Sequence, residues 1–293
     1  MTEKQRYISF SEQQISVFAK PWWLDASCGN ENWQCLFFEN KESAFAFHTK
    51  QKLFQNAAIP SILTPYQPAI NINETIIEAV SKFNFVELYW KNFTEHEIKL
   101  LQKYKFEISY KHTRVLPLKS LEEIYQNFKP SLKRQIKKSE ENLSIEETKN
   151  IEILFNISQQ VFQRQNKPLP FSFDQLQAIV EACIQHNCCK IWVAKNELQQ
   201  PCAAMLMVYD NDCCYYLTGG LATEHKTTGA MNLLLWKAIQ FASLQGKEFD
   251  FCGSTIPSID KFFSTFGAVK KDVLVINKYN NRLQKWAINK WKK

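Results

Sequence analysis

Glycine is scarce in this chain of 293 residues, and most of it lies where a ligand could approach the backbone. Six of the seven glycines follow residue 218. Gly219 and Gly220 end a predicted strand, and Gly229 begins a long predicted helix. Ligands of α/β proteins bind at such strand ends and helix starts, where glycine permits unusual dihedral angles. Ordinary turns explain any single glycine equally well, but the clustering favours a binding site.

The loop before that helix has the composition of an anion site. It reads EHKTTGA over residues 224–230 and places Lys226 beside the first amide groups of the helix. Free amides and the helix dipole both attract a negative group. Lys226 and Gly229 are therefore candidate phosphate-binding residues, although helix capping alone accounts for the same Thr and Gly residues.

A second candidate anion site is a predicted helix over residues 131–141. Residues 129–138 contain five basic residues and no acid. The spacing of four residues places Arg134 beside Lys138 and puts Lys137 on the same broad cationic face. These three side chains form the candidate anion-binding surface, and a solvated helix face is the alternative interpretation.

Two residues of the same half could transfer protons. Tyr216 precedes the paired glycines, and Asp250 precedes Gly253 in a later predicted strand. A phenol and a carboxylate at the edge of a site can act as general acid and base, whereas core filling and turn bracing are the alternatives. No Ser–His–Asp, Cys–His or paired-carboxylate arrangement follows from the spacing, so no covalent catalysis is predicted.

The nine cysteines and five histidines predict neither a metal site nor a disulfide framework. The chain contains no CxxC motif, and its histidines are not paired at the spacing of metal ligands. An odd number of cysteines spread over a long chain is typical of reduced thiols that act as small apolar residues.

The elements that must position these residues alternate between helix and strand. The chain is longer than one hydrophobic core usually organises, so we predict two α/β domains, over residues 1–117 and 118–293. In the first, Asn73 and Glu74 are suited to begin a helix. The second is predicted to contain an antiparallel meander and a following helix, over residues 190–194, 201–209, 212–218 and 229–245.

Composition and charge exclude several classes of protein. The longest apolar run, residues 202–209, is far shorter than the ~18 to 20 residues of a membrane-spanning helix. The first ten residues lack the apolar core of a secretory signal, so we expect a cytoplasmic protein without a membrane span. Residues 129–138 and 278–293 together carry eleven basic residues and no acid, which exceeds the net charge of +7, so the remainder of the chain is mildly acidic. We expect no DNA partner.

Several segments, read in order, resemble the FemAB-like branch of the GNAT acyltransferase superfamily, in particular its short bacterial members. The segments that carry the resemblance are RQIKK (134–138), YYLTGG (215–220), NLLLWKAI (232–239), FDFCGS (249–254), FFSTFGA (262–268), PWWLDA (21–26) and LTPY (63–66). The resemblance implies two GNAT folds in tandem, each a mixed twisted sheet flanked by helices. It assigns the acceptor to the first half and the donor to the second.

The resemblance also implies a reaction, the transfer of an acyl or aminoacyl group to an amine on a small molecule or peptide. Its implied donor site consists of Gly219, Gly220, Lys226, Gly229, Ser254 and Phe263. Phe263 stands where the cell-wall enzymes of this branch have lysine, and no counterpart of their tRNA-binding helical hairpin is found. The implied co-substrate is acyl-CoA or aminoacyl-tRNA, with tRNA as a candidate partner and no tightly bound cofactor.

Two other functions stay open. The basic faces and the 8 Trp, 10 Tyr and 22 Phe residues could supply the phosphate contacts and base stacking of a non-catalytic RNA-binding module. A degenerate GNAT scaffold is the other alternative, since Met231 departs from the usual phosphate loop and Phe263 from the lysine. The donor, the acceptor and the oligomeric state do not follow from the sequence.

Overall fold

The computed structural model describes residues 3–11, 16–38, 43–52, 55–225, 229–253, 256–281 and 285. The chain divides into two compact units, one of residues 1–111 with 272–293 and one of residues 112–271. The predicted division at residue 117 differs from this one in the placing of residues 112–117 and 272–293. Residues 272–293 belong to the first unit. Their strand pairs antiparallel with a strand of the first unit, from Leu274 opposite Trp90 to Tyr279 opposite Phe85.

The elements are numbered here along the chain. The helices are α1 (Glu3–Ser11), α2 (Pro21–Cys28), α3 (Glu74–Ser81), α4 (Glu95–Lys103), α5 (Leu121–Gln126), α6 (Pro130–Asn142), α7 (Ile151–Arg164), α8 (Phe173–Gln185), α9 (Ala230–Leu244) and α10 (Pro257–Ser264). The strands are β1 (Trp33–Phe38), β2 (Ser43–Lys52), β3 (Gln55–Ile59), β4 (Ala69–Ile70), β5 (Phe85–Trp90), β6 (Glu107–Leu116), β7 (Ser144–Glu147), β8 (Cys189–Lys195), β9 (Pro201–Tyr209), β10 (Cys213–Leu221), β11 (Glu248–Asp250) and β12 (Val269–Tyr279).

The first unit contains a mixed sheet in the order β1-β2-β3-β5-β12, with β4 paired to β2. β3 and β5 run parallel, and the other neighbours in this order run antiparallel. Every second residue of β5 is buried, as expected of a strand with one covered face. The core of this unit is aromatic and aliphatic, and includes Phe45, Phe47, Ile76, Ile77, Leu88, Trp90, Leu101, Leu274 and Ile276.

Helix α3 of this unit begins where the sequence predicts. The side chain of Asn73 accepts a hydrogen bond of 3.0 Å from the backbone N–H of Ile76, which satisfies one of the free amides of the first turn. Glu74 follows in that turn, and Ile76, Ile77 and Val80 form the buried face.

The second unit contains a mixed sheet in the order β6-β11-β10-β9-β8-β7. The predicted meander is confirmed, because β8, β9 and β10 pair antiparallel in sequence order. β10 and β11 run parallel, with α9 between them in the chain. The apolar run of β9 is buried on both faces, as is most of α9.

The predicted fold class is confirmed, since each unit is a mixed sheet accompanied by helices. The predicted basic helix is α6, which begins at Pro130, and its Leu132 and Ile136 are buried. Among the helices that the structure describes, none has the length and hydrophobicity needed to span a bilayer. Most of the basic segment 278–293 lies outside the described residues.

Candidate functional site

Strand β10 leaves its parallel neighbour partway along its length. Its pairing with β11 ends at Tyr215, whereas its pairing with β9 continues to Leu221. The register with β9 shifts between Tyr216 and Thr218, which marks a β-bulge. Because a bulge bends a strand and redirects its backbone, the second half of β10 is open on the side of β11.

Gly219 and Gly220 allow this irregular strand to pack. Gly219 has φ of 129°, and a Cβ atom there would lie 2.1 Å from the carbonyl oxygen of Ala204. A Cβ atom on Gly220 would lie 2.7 Å from a methyl group of Val161 in α7. The phenol of Tyr216 donates a hydrogen bond of 2.9 Å to the carbonyl oxygen of Gly219. No residue other than glycine fits at position 219.

Helix α9 begins at Gly229 without a side-chain cap. Gly229 has φ of 70° and no acid follows in the first turn. A Cβ atom on Gly229 would lie 2.3 Å from the hydroxyl of Ser139, so α6 packs directly against this helix start. Asn232 also donates a hydrogen bond of 2.7 Å from Nδ2 to Oε1 of Gln135.

These elements enclose a cavity of about 1080 Å³ within the second unit. Its walls come from α6, α7, the turn between β8 and β9, the open half of β10, the start of α9 and one face of α10. The volume is that of a pocket for a small molecule or cofactor. Among the described residues, the charged side chains that line it are Lys138, Arg164 and Glu197.

Arg164 fixes the segment that leads from β10 toward α9. It donates hydrogen bonds of 2.7 Å from Nη2 to the carbonyl oxygen of Leu221 and of 2.9 Å from Nη1 to the hydroxyl of Thr223. Burial lowers the pKa of Arg164 from its ordinary value. Sequence reasoning missed this residue, because one arginine in the last turn of an amphipathic helix carries no distinguishing signal.

The cavity has an aromatic wall. The rings of Tyr216 and Phe263 meet edge to face at 6.2 Å between centroids, and Phe263 lies 4.6 Å from Phe251. Phe263 is 4% exposed, yet it lines the cavity. Burial raises the pKa of Tyr216 further above neutrality, so its phenol stays protonated and can donate a hydrogen bond.

Helix α10, which carries part of this wall, is held by a partly buried ion pair. Arg114 in β6 donates to both carboxylate oxygens of Asp260, over 2.7 Å from Nε and 2.8 Å from Nη2. His112 Nε2 lies 3.0 Å from Asp260 Oδ1. The hydrogen bonds from Arg114 hold the pKa of Asp260 well below its usual range. Neither Arg114 nor Asp260 was predicted from the sequence, because 146 residues separate them.

The cavity brings together six of the residues predicted from the sequence, namely Lys138, Tyr216, Gly219, Gly220, Gly229 and Phe263. Arg134 and Lys137 are exposed elsewhere on α6 and do not line it. Lys226 and Ser254 lie outside the described residues.

Asp250 does not line the cavity either. The residue is fully buried, and its Oδ1 accepts hydrogen bonds from Thr113 Oγ1 at 2.6 Å and from the backbone N–H of Cys252 at 2.8 Å. Among the described residues that follow Asp250, those that line the cavity are Ile259, Phe262 and Phe263 of α10.

Comparison with known proteins finds a family that most of the second unit resembles in sequence. Residues 126–257 match the sequence profile of the family described as Acetyltransferase (GNAT) domain. No curated protein matches the chain.

Solved structures share the fold over nearly the whole chain. FemX has a TM-score of 0.70 at 10% identity, with 94% of this chain and 96% of FemX covered. The C-terminal domain of a putative lysylphosphatidylglycerol synthetase from Agrobacterium fabrum has a TM-score of 0.63 at 9% identity, covering 94% and 91%. A tandem GNAT protein from the clavulanic acid biosynthesis pathway has a TM-score of 0.53 at 8% identity, covering 94% and 95%.

The predicted resemblance to GNAT acyltransferases is confirmed by the family match, and the fold shared with FemX is consistent with the FemAB-like branch. The general reaction supported by the family is acyl transfer. Residues 126–257 match the GNAT acetyltransferase family, and the fold of the chain is similar to those of FemX and of a tandem GNAT protein.

Proposed function

We propose that this chain is an N-acyltransferase that binds an activated acyl donor in the cavity of the second unit and transfers the acyl group to an amine. The observation that carries the proposal is the opening of β10 from β11 beside the start of α9, at Gly229, within the segment that matches the GNAT family. The donor is a phosphate-bearing activated acyl compound, acyl-CoA or aminoacyl-tRNA. The acceptor is a small-molecule or peptide amine.

The start of α9 is suited to the donor phosphate. Its first turn carries no acid and its N-cap residue Gly229 has no side chain, so neither places a negative side chain against the positive end of the helix dipole. Lys138 adds a positive charge at the cavity wall. Lys226, four residues before the helix, was predicted to serve the same phosphate and stays a prediction.

The acyl carbonyl would lie along the open half of β10. The amine nitrogen attacks the carbonyl carbon, and backbone N–H groups of the open strand stabilise the developing oxyanion. The bond to the leaving sulfur or ribose oxygen then breaks. Tyr216, whose phenol is protonated, donates a hydrogen bond to that atom as negative charge develops on it. The attacking amine loses a proton to solvent, and the leaving atom takes one from solvent. Asp250 braces the turn at Cys252 and stays outside this exchange.

The test is a transfer assay with the full chain, a panel of amines, and two donor arms, acyl-CoAs and charged tRNAs. We expect one arm to support transfer and to raise the melting temperature, since a ligand at 100 times its Kd adds about 2.7 kcal/mol. Tyr216→Phe should lower kcat about 100-fold with little change in donor Kd. Tyr209→Phe is the matched control, because its phenol bonds to Asn187 away from the cavity.

Failure of both arms would contradict the proposal. Without binding or transfer from any donor, the degenerate scaffold becomes the better account. Binding of uncharged RNA with a steep salt dependence and no transfer would favour the RNA-binding module instead.

A further inference from the structure

We infer that the transferred acyl group is apolar and larger than acetyl, which makes the donor an acyl-CoA. This inference rests on the proposed function and specifies the substrate class of the same site. It comes from the side chains that α10 presents to the cavity and from the charges around them.

Helix α10 turns an entirely apolar face to the cavity. Ile259, Phe262 and Phe263 line it, at the spacing of three and four residues that shares one helix face. Asp260, which lies between them in sequence, is instead paired with Arg114. Ile259 and Phe262 are half-buried, so an acyl chain lying on them would remove apolar surface from water.

This wall is rigid, because each of its rings has an aromatic neighbour. Phe262 lies 5.7 Å from Phe263 and 5.5 Å from Phe266, while Phe263 packs on Phe251 at 4.6 Å. Tyr216 touches the same cluster, at 6.2 Å from Phe263. A fixed apolar surface next to the predicted position of the acyl carbonyl binds a chain without first having to become ordered.

The charges of the cavity disfavour an aminoacyl group. Such a group carries an α-ammonium. Removing an ammonium from water without an anionic partner costs more free energy than a cation–π contact with an aromatic ring contributes. Among the described lining residues, Glu197 is the acidic one, and it is exposed in the turn between β8 and β9. Lys138 and Arg164 make the balance of these side chains positive, which suits the phosphates of CoA.

The test is calorimetric titration of the full chain with CoA and with its hydrolysis-resistant ethyl, butyl and octyl thioethers. We expect Kd to fall by about threefold per added methylene over the first few carbons. Phe262→Ala should flatten this dependence, whereas Phe241→Ala should preserve it. Phe241 is a matched control, since it is a half-buried phenylalanine of the same unit that does not line the cavity.

Each result decides between the two proposals. A steep dependence of Kd on acyl-chain length in the unmodified protein supports an apolar acyl group. This measurement does not depend on whether any variant folds. A flat dependence together with transfer from acetyl-CoA, or transfer from charged tRNA alone, overturns the inference and leaves the proposed function standing. If no thioether binds and no donor supports transfer, both are overturned.

Discussion

The two units each contain a pair of parallel strands with a helix between them in the chain, and the two helices begin differently. In the first unit β3, α3 and β5 form this arrangement, and in the second β10, α9 and β11 do. Helix α3 begins with the side-chain cap of Asn73 and the acid Glu74. Helix α9 begins with Gly229, with neither cap nor acid. Of these two helix starts, that of α9 has no acceptor side chain at its N-cap residue and no acid in its first turn, which suits it better to a phosphate.

The space beside α9 is also much larger than the space beside α3. Large side chains, among them Ile76, Leu88 and Trp90, leave a void of about 10 Å³ beside α3. The cavity beside α9 measures about 1080 Å³. The architecture that the two units share does not by itself create a binding site. A bulged strand, glycines at fixed positions and a helix start without a side-chain cap do.

The largest expected effect comes from the strand glycine. Gly219→Ala would force a Cβ atom against the carbonyl of Ala204 and strain the backbone at φ of 129°, so we expect a loss of at least about 3 kcal/mol of unfolding free energy. Gly246→Ala is the matched control. Its φ is also positive, at 66°, but nothing lies within 4 Å of the added atom, and about 1 kcal/mol is expected. Urea unfolding measures both, and equal losses would mean that β10 tolerates a side chain at its bulge.

A smaller loss is expected when the ion pair behind α10 is broken. Asp260→Asn leaves Arg114, whose side chain is 14% exposed, without its anion, and should cost about 2 kcal/mol at pH 7. Glu74→Gln in the first unit removes an ion pair whose Lys103 partner is 63% exposed, and should change the melting temperature little.

The stability contributed by the ion pair between Arg114 and Asp260 should depend on pH. The folded pKa of Asp260 is below that of the unfolded chain, so its contribution is complete well above a pH of about 4 and is lost as the pH falls. The stability difference between the unmodified chain and Asp260→Asn should therefore shrink from pH 7 toward pH 3. A difference that is constant over this range would show that the ion pair does not stabilise α10.

The smallest effect on stability is expected at the capped helix. Asn73→Ala removes the hydrogen bond to the amide of Ile76 and should cost about 1 kcal/mol. Donor affinity should not change, because the described residues that line the cavity all belong to the second unit. A weaker donor affinity in this variant would contradict the assignment of the donor to the second unit alone.

The sequence predicted those features that depend on neighbouring residues. The cap at Asn73, the meander of β8 to β10 and the cluster of glycines are local patterns, and the structure contains all three. The pairing of Arg114 with Asp260 is not local, since 146 residues separate the two.

The choice among the basic residues of α6 could not be predicted either. Arg134, Lys137 and Lys138 form one cationic face by spacing, but the packing of α6 on α9, at Ser139 and Gly229, turns only Lys138 of these three to the cavity. Helix periodicity shows which residues share one face of a helix, but it does not show towards which part of the protein that face points.

Because the orientation of α6 turns Lys138 but not Lys137 to the cavity, these two residues provide the most direct test of the donor site. Lys137→Glu and Lys138→Glu make the same charge change at adjacent, exposed positions of one helix, and only the second lies on the cavity wall. Calorimetric titration with the octyl thioether of CoA at low salt should give a Kd about tenfold weaker for Lys138→Glu and nearly unchanged for Lys137→Glu. Equal Kd values for the two variants would contradict the claim that the donor phosphates lie beside the start of α9 in the second unit.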